Sequence, residues 1–326
     1  MKITVLGAGA WGTALARLLH ANGHEVTFWG HDAAHLESIQ KTAQNETYLP
    51  GVALPHDWQI EPSLTQAVVA PEAIVIAVPS KAFRKVASVL ANFSGVAISV
   101  TKGIEYDTGS TMCGVLRETA PRARTVALSG PTLAAEVARD MPSAIVAASV
   151  DMAAAQLVQR LFHRPTFRVY TSSDPLGVEL GGALKNVIAI AAGTCDGLGF
   201  GDNSKAALMT RSIVEIRRLG VACGACAETF AGLSGLGDLT VTCFSKLSRN
   251  RSLGERLGRG EQLEQILAST RSVAEGYPTA RSAFRLARKL NISTPIIDEV
   301  HAMLYEGKNG LEALRDLTGR DSKAEQ

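Results

Sequence analysis

The 326-residue sequence predicts an α/β chain in two parts. A doubly wound, mainly parallel sheet is expected over residues 1–173, and an all-α domain over residues 174–326. Three observations carry this. Short apolar runs alternate with helix-type segments through the first part. A glycine-rich turn follows the first of these runs. After residue 173 the strand-type runs stop.

The predicted strands are 2–6, 25–29, 73–77, 96–99, 125–128, 144–148 and 167–170. They are short and rich in aliphatic residues, as in strands covered on both faces. Amphipathic or alanine-rich segments at 12–21, 81–90 and 152–161 supply covering helices. The break reads Thr171-Ser172-Ser173-Asp174-Pro175. Ser172, Ser173 or Asp174 suits a helix cap and Pro175 a first turn. Helices are predicted beyond it at 176–192, 204–219, 224–233, 252–257, 263–268, 279–290, 296–305 and 310–317.

Composition narrows the function. Lys plus Arg total 33 and Asp plus Glu 31, with an excess of one positive charge on each side of residue 173. There is no basic tail or block, so a nucleic-acid partner is not expected. No apolar run approaches the ~20 residues of a bilayer span, and the N-terminus lacks a signal-peptide layout, so membrane insertion is not expected. Five scattered cysteines are no disulfide framework, which points to the cytoplasm. Cys223 and Cys226 form a lone CxxC, read as packing; the scattered histidines have no ligand spacing, and no metal site is expected.

Gly7-Ala8-Gly9-Ala10-Trp11-Gly12 is a GxGxxG turn between a strand and a helix, with a second strand at βαβ spacing. In that context it reads as a Rossmann dinucleotide site. Gly7 permits the tight turn, Gly9 admits the pyrophosphate to the backbone, and Gly12 lets the helix pack closely. The second strand ends Trp29-Gly30-His31-Asp32. A carboxylate that would hold a ribose 2′-hydroxyl comes late, and His31 before it tolerates a 2′-phosphate or is an ordinary loop histidine. The reading leans to NADP, or to use of both cofactors.

A nicotinamide cofactor implies hydride transfer, so the protein must supply a proton donor and a substrate grip. Lys185 stands alone in the apolar stretch 181–193. Burial there lowers a lysine pKa towards the working range, although a packed stem with a surfacing charge fits the same pattern. Thr101-Lys102-Gly103 and Ser129-Gly130-Pro131-Thr132 follow predicted strands, where doubly wound sheets bind ligands. Asp238 lies in a glycine-flexed segment, and Ser248-Arg249-Asn250-Arg251 suits a phosphate group.

These segments, with 242–250 and Val273-Ala274-Glu275-Gly276, give the chain its resemblance to the bacterial NAD(P)-dependent glycerol-3-phosphate dehydrogenases over nearly its whole length. The resemblance implies interconversion of dihydroxyacetone phosphate and sn-glycerol 3-phosphate, supplying phospholipid synthesis. It implies that Lys185 is the proton acceptor in alcohol oxidation. Lys102, Gly130, Thr132, Asp238, Ser248, Arg249 and Asn250 would surround the substrate. Gly7, Gly9, Ala10, Trp11, Gly12, His31, Lys102, Ala134, Arg249, Val273 and Glu275 would line the cofactor. Ala10 departs from the serine of many members and removes one hydroxyl contact to the pyrophosphate. Like charges on Lys102 and Arg249 are expected to depress the Lys185 pKa, with Asp238 orienting it. The apolar helical half suggests a homodimer. Two competing readings remain: a hydroxy-acid or sugar-acid dehydrogenase of the same fold, whose carboxylate substrate would suit Arg249 equally, and a cofactor-binding protein without turnover.

Overall fold

The computed structural model describes residues 1–270 and 274–321. Among the described residues there are ten strands: β1 (Lys2–Leu6), β2 (Glu25–Trp29), β3 (Gln44–Asn45), β4 (Leu49–Ala53), β5 (Gln59–Ile60), β6 (Ala73–Ile76), β7 (Val96–Ser99), β8 (Arg124–Ser129), β9 (Ser143–Ala148) and β10 (Phe167–Ser172). Eight form one sheet in the order β10-β9-β8-β7-β6-β1-β2-β5, and β3 and β4 pair as a separate hairpin. All seven predicted strands lie in the sheet; β3 and β5, at two residues each, carry no apolar pattern, and β4 reads Leu-Pro-Gly-Val-Ala, in which Pro50 and Gly51 mask a strand.

Strands β6, β1 and β2 run parallel, and β6, β7 and β8 continue that direction. The β8–β9 pair is antiparallel, in keeping with a mainly parallel sheet. The only helix in residues 130–142 between them has four residues, in place of the longer helix that usually carries a parallel crossover.

Seven helices accompany the sheet: α1 (Ala10–Ala21), α2 (Ala33–Thr42), α3 (Leu64–Ala67), α4 (Ser80–Ala87), α5 (Met112–Thr119), α6 (Ala134–Val137) and α7 (Met152–Phe162). Leu15 and Leu19 of α1 and Val158 and Phe162 of α7 pack on one face of the sheet. Phe83 and Val86 of α4 and Val115 and Leu116 of α5 pack on the other. This two-sided cover explains why Ile74, Val75 and Ile76 are consecutively buried.

The helical half comprises α8 (Pro175–Gly197), α9 (Asp202–Ala222), α10 (Asp238–Phe244), α11 (Arg249–Gly258), α12 (Leu263–Ser269), α13 (Gly276–Lys289), α14 (Pro295–Tyr305) and α15 (Gly310–Thr318). Asp174 is the cap of α8: its Oδ1 accepts the Gly177 N–H at 2.9 Å, and Pro175 occupies the first turn. The expected helix at 224–233 is instead a 3₁₀ turn (Ala227–Ala231) followed by a π turn (Leu233–Gly237), since Gly232, Gly235 and Gly237 do not hold a regular α-helix.

Helix α8 has the length and apolar composition of a bilayer span, more than the sequence reading allowed. It is nevertheless the buried spine of this half, wrapped by its neighbours. Its contact with α11 is backbone to backbone. A Cβ on Gly193 would lie 1.9 Å from Arg251 O, and one on Gly254 would lie 1.9 Å from Ile190 O.

Two carboxylates, Glu179 buried and Glu275 half-buried, cross from the helical half to cap helices of the sheet half. Glu179 of α8 accepts the Cys113 N–H at 2.8 Å in the first turn of α5. Glu275 accepts the Ser80 N–H at 3.1 Å and the Ser80 hydroxyl at 2.6 Å, at the start of α4. Both satisfy amides that have no partner within their own helix.

Candidate active site

The turn after β1 meets the steric demands of the fingerprint. Gly7 has φ +130°, and a Cβ there would lie 2.5 Å from Ala77 O. A Cβ on Gly12 would lie 1.9 Å from Gly7 O. A Cβ on Gly9, by contrast, would meet nothing within 4 Å, so this backbone stands open to a ligand. Gly9 caps α1 without a side chain, which leaves the first amides of the helix for an anion. Ala10 opens that helix, and Trp11 beside it has a buried Nε1 with no partner. Asn45 holds the turn from behind, donating to Ala8 O at 3.0 Å and to Thr13 Oγ1 at 2.7 Å. Open backbone, free amides and an unpartnered indole fit a dinucleotide.

At the end of β2, His31 is exposed. Asp32 accepts the His35 N–H at 3.1 Å as the cap of α2, so its carboxylate serves the helix. Ala134 opens α6 and is half-buried. Val273 lies outside the described residues. Burial pushes the Glu275 carboxyl above its ordinary pKa, and the Ser80 hydrogen bonds and the Arg249 charge oppose that shift.

The chemistry-bearing groups converge in the seam between the halves. Lys102 follows β7 and Lys185 sits mid-α8; both donate to Asp238, at the start of α10. Lys185 Nζ reaches Asp238 Oδ1 at 2.8 Å, and Lys102 Nζ reaches Oδ2 at 2.5 Å. Lys185 also donates to Thr242 Oγ1 at 2.6 Å, and Lys102 to Gly130 O at 2.9 Å. The π turn delivers Asp238 to this point; such turns recur at functional sites.

Lys185 is 5 % exposed. Burial lowers its pKa to about 8, the Asp238 carboxylate opposes that shift, and Lys102 adds to it. Arg249 is not among the groups acting on it, which corrects the expectation that two like charges set this pKa. Burial alone would raise the Asp238 carboxyl, but the two lysines outweigh it and hold the group below its ordinary range.

A chain of amides links this centre to α11. Asn186 donates to Lys102 O at 3.3 Å, and Asn250 donates to Asn186 Oδ1 at 2.9 Å. Asn250 Oδ1 accepts the Gly276 N–H at 2.8 Å, next to Glu275. Ser248 spends its hydroxyl capping α11, accepting the Arg251 N–H at 3.2 Å. The Arg249 side chain is exposed. Thr132 donates to Gly130 O at 3.1 Å. The structure thus joins Lys102, Gly130, Thr132, Lys185, Asp238 and Asn250 in one network, with Glu275 adjoining, while His31 stands apart after β2. Thr242, Asn186, Ser80 and Asn45 were not singled out from sequence. For Thr242 the signal was its i,i+4 spacing from Asp238, and for Asn186 its place beside Lys185.

Two family profiles match the chain. The N-terminal region of NAD-dependent glycerol-3-phosphate dehydrogenase matches residues 2–155, and the C-terminal region of the same enzyme matches 174–315. A glycerol-3-phosphate dehydrogenase [NAD(P)+] of Geobacter metallireducens is 48 % identical over 331 residues, covering 100 % of this chain and 99 % of the relative. That of Fusobacterium nucleatum is 46 % identical over 330 residues, covering 100 % and 98 %. The crystal structure of glycerol-3-phosphate dehydrogenase from Coxiella burnetii superposes with a TM-score of 0.95 at 34 % identity, covering 98 % of this chain and 99 % of that one.

Proposed function

This chain belongs to the NAD-dependent glycerol-3-phosphate dehydrogenase family, and from that premise we propose that Lys185 is the proton donor and acceptor of its reaction. The enzyme interconverts dihydroxyacetone phosphate and sn-glycerol 3-phosphate with NAD(H) or NADP(H). The observation that carries the residue assignment is the Lys102–Asp238–Lys185 arrangement, which presents a buried lysine of pKa about 8 in the seam.

Gly7, Gly9, Ala10, Trp11 and Gly12, with His31, Lys102, Ala134, Arg249 and Glu275, would hold the nicotinamide cofactor, which would supply the hydride. The remaining work falls to the protein. In reduction, the Lys185 ammonium protonates the oxygen that forms on C2. In oxidation, neutral Lys185 takes the hydroxyl proton. Asp238 fixes the direction of Nζ by accepting from it, and Thr242 supplies a second contact. Lys102 adds positive charge beside the developing alkoxide. Gly130, Thr132, Asp238, Ser248, Arg249 and Asn250 surround the substrate. The first turn of α11 offers amides and the Arg249 guanidinium to the phosphate.

We assign the division between cofactor and substrate domains to residues 173 and 174, where β10 has ended and the α8 cap begins. A homodimer, a cytoplasmic location and supply of glycerol 3-phosphate to phospholipid synthesis complete the proposal. Exposed Leu236, Phe244 and Leu247, near the two ends of α10, support self-association, and five free cysteines support a reducing compartment.

The test follows absorbance of reduced nicotinamide on mixing the protein with dihydroxyacetone phosphate and NADH or NADPH. Lys185→Ala is expected to lose about 10²–10⁴-fold in kcat. Turnover within about tenfold of the parent removes Lys185 from the acid–base role.

A further inference from the structure

Behind the substrate site lies a second buried charge cluster, which the proton-transfer chemistry does not use. Asp196, in the last turn of α8, is ion-paired with Lys205 of α9, and Arg251 Nε of α11 lies 2.6 Å from its Oδ2. The exposures of these side chains are 15 %, 9 % and 11 %. Arg251 also lies 3.3 Å from Glu255, and Lys205 sits 5.1 Å over the Phe244 ring of α10. One carboxylate thus ties α9 and α11 to α8, with α10 against the same cluster.

Its position along the helix excludes a direct part in proton transfer. Eleven residues separate Asp196 from Lys185, about 16 Å of helix. Its partner Arg251, however, is two residues from Arg249 and next to Asn250, in the first turn of α11. The helices touch through glycine backbone, which sets how closely they approach. Glycine itself interlocks with nothing, so the register of α11 on α8 rests on neighbouring groups, among them buried Leu253 and the Asn250–Asn186 hydrogen bond. The Asp196–Arg251 pair adds a charged restraint to these, directly behind the Arg249–Asn250 turn.

We propose that Asp196 is a positioning residue for phosphate recognition, holding the Arg249–Asn250 turn through Arg251. This rests on the assignment of Arg249 and Asn250 to the substrate phosphate. An unrestrained α11 misplaces the phosphate grip and leaves Lys185 and Asp238 where they are, since those are held by each other and by Thr242.

The test compares dihydroxyacetone phosphate with unphosphorylated dihydroxyacetone in the full-length enzyme, using Asp196→Asn, Arg251→Gln and Arg249→Ala. Arg251→Gln keeps the Asp196–Lys205 pair and serves if the Asp196 variant does not fold. Expected for both Asp196→Asn and Arg251→Gln is a rise of about tenfold or more in KM for the phosphorylated ketone, with kcat within about threefold. The kcat/KM for dihydroxyacetone and the Kd for reduced cofactor stay at the parent values. An unchanged KM in a folded variant, or equal losses on both ketones, overturns the proposal. If Arg249→Ala keeps the full preference for phosphate, the underlying site assignment falls instead. If it loses that preference while the other two variants do not, only the positioning role falls.

Discussion

Gly254→Ala is the sharpest perturbation that the fold offers. Alanine in a helix interior normally gains about 0.5–1 kcal/mol over glycine. Here the added Cβ would stand 1.9 Å from Ile190 O, 2.7 Å from Ile190 C and 2.9 Å from Thr194 N. All three neighbours are α8 backbone, so no side chain can turn aside. Restoring an ordinary contact of about 3.4 Å requires α11 to retreat by about 1.5 Å. Overpacking of this kind costs roughly 1–3 kcal/mol, which outweighs the propensity gain. The retreat also draws Asn250 away from Asn186 and moves Arg249 with it, and a misplacement of about 1 Å at a reacting site costs about 10²-fold. Urea unfolding and steady-state reduction of dihydroxyacetone phosphate measure the two effects. Gly201→Ala, where a Cβ would meet nothing within 4 Å, is the control. A Gly254→Ala enzyme with parental stability and kcat/KM refutes the claim that this backbone contact sets the site.

Three further predictions concern charge. Reduction needs the Lys185 ammonium, so its kcat is expected to fall as pH rises through about 8, while oxidation rises through the same midpoint. Asp238 raises the Lys185 pKa, so the small residual activity of Asp238→Asn should show a midpoint shifted to lower pH; an upward shift would contradict the stated balance. At the cofactor end, Asp32 is committed to capping α2 and His31 is free in the loop. His31→Ala is therefore expected to raise KM for NADPH several-fold and leave KM for NADH within about twofold, and equal changes would remove His31 from 2′ recognition.

The strands and the long helices were legible because burial imposes a pattern on sequence. Residues 2–6, 25–29 and 96–99 match β1, β2 and β7 residue for residue. Helix α2 was missed because its apolar face amounts to Leu36 and Ile39, and its cap, Asp32, was read only as a ribose ligand. Helix α5 was missed for a similar reason: part of its stability comes from Glu179, more than sixty residues away. The π turn ahead of Asp238 left no trace beyond its glycines. In the site, Lys185 was legible as a lone charge in an apolar segment. The partners that define it were less so, because Asp238, Thr242 and Lys102 reach it only through the tertiary fold.

The carboxylates of Glu179 and Glu275 bear on how such a protein can be recombined. Each belongs to one half of the chain and completes a helix of the other. A hybrid spliced between residues 173 and 174 would keep the whole sheet and every helix of the helical half. It would still strand Glu179 and Glu275 without the amides they accept, or leave the Cys113 and Ser80 amides without those acceptors, unless the incoming half carried carboxylates at both places. An unpaired buried acid costs several kcal/mol, a large share of a typical folding free energy. The two halves are thus heritable as a matched pair, compatible only with partners that share both acids.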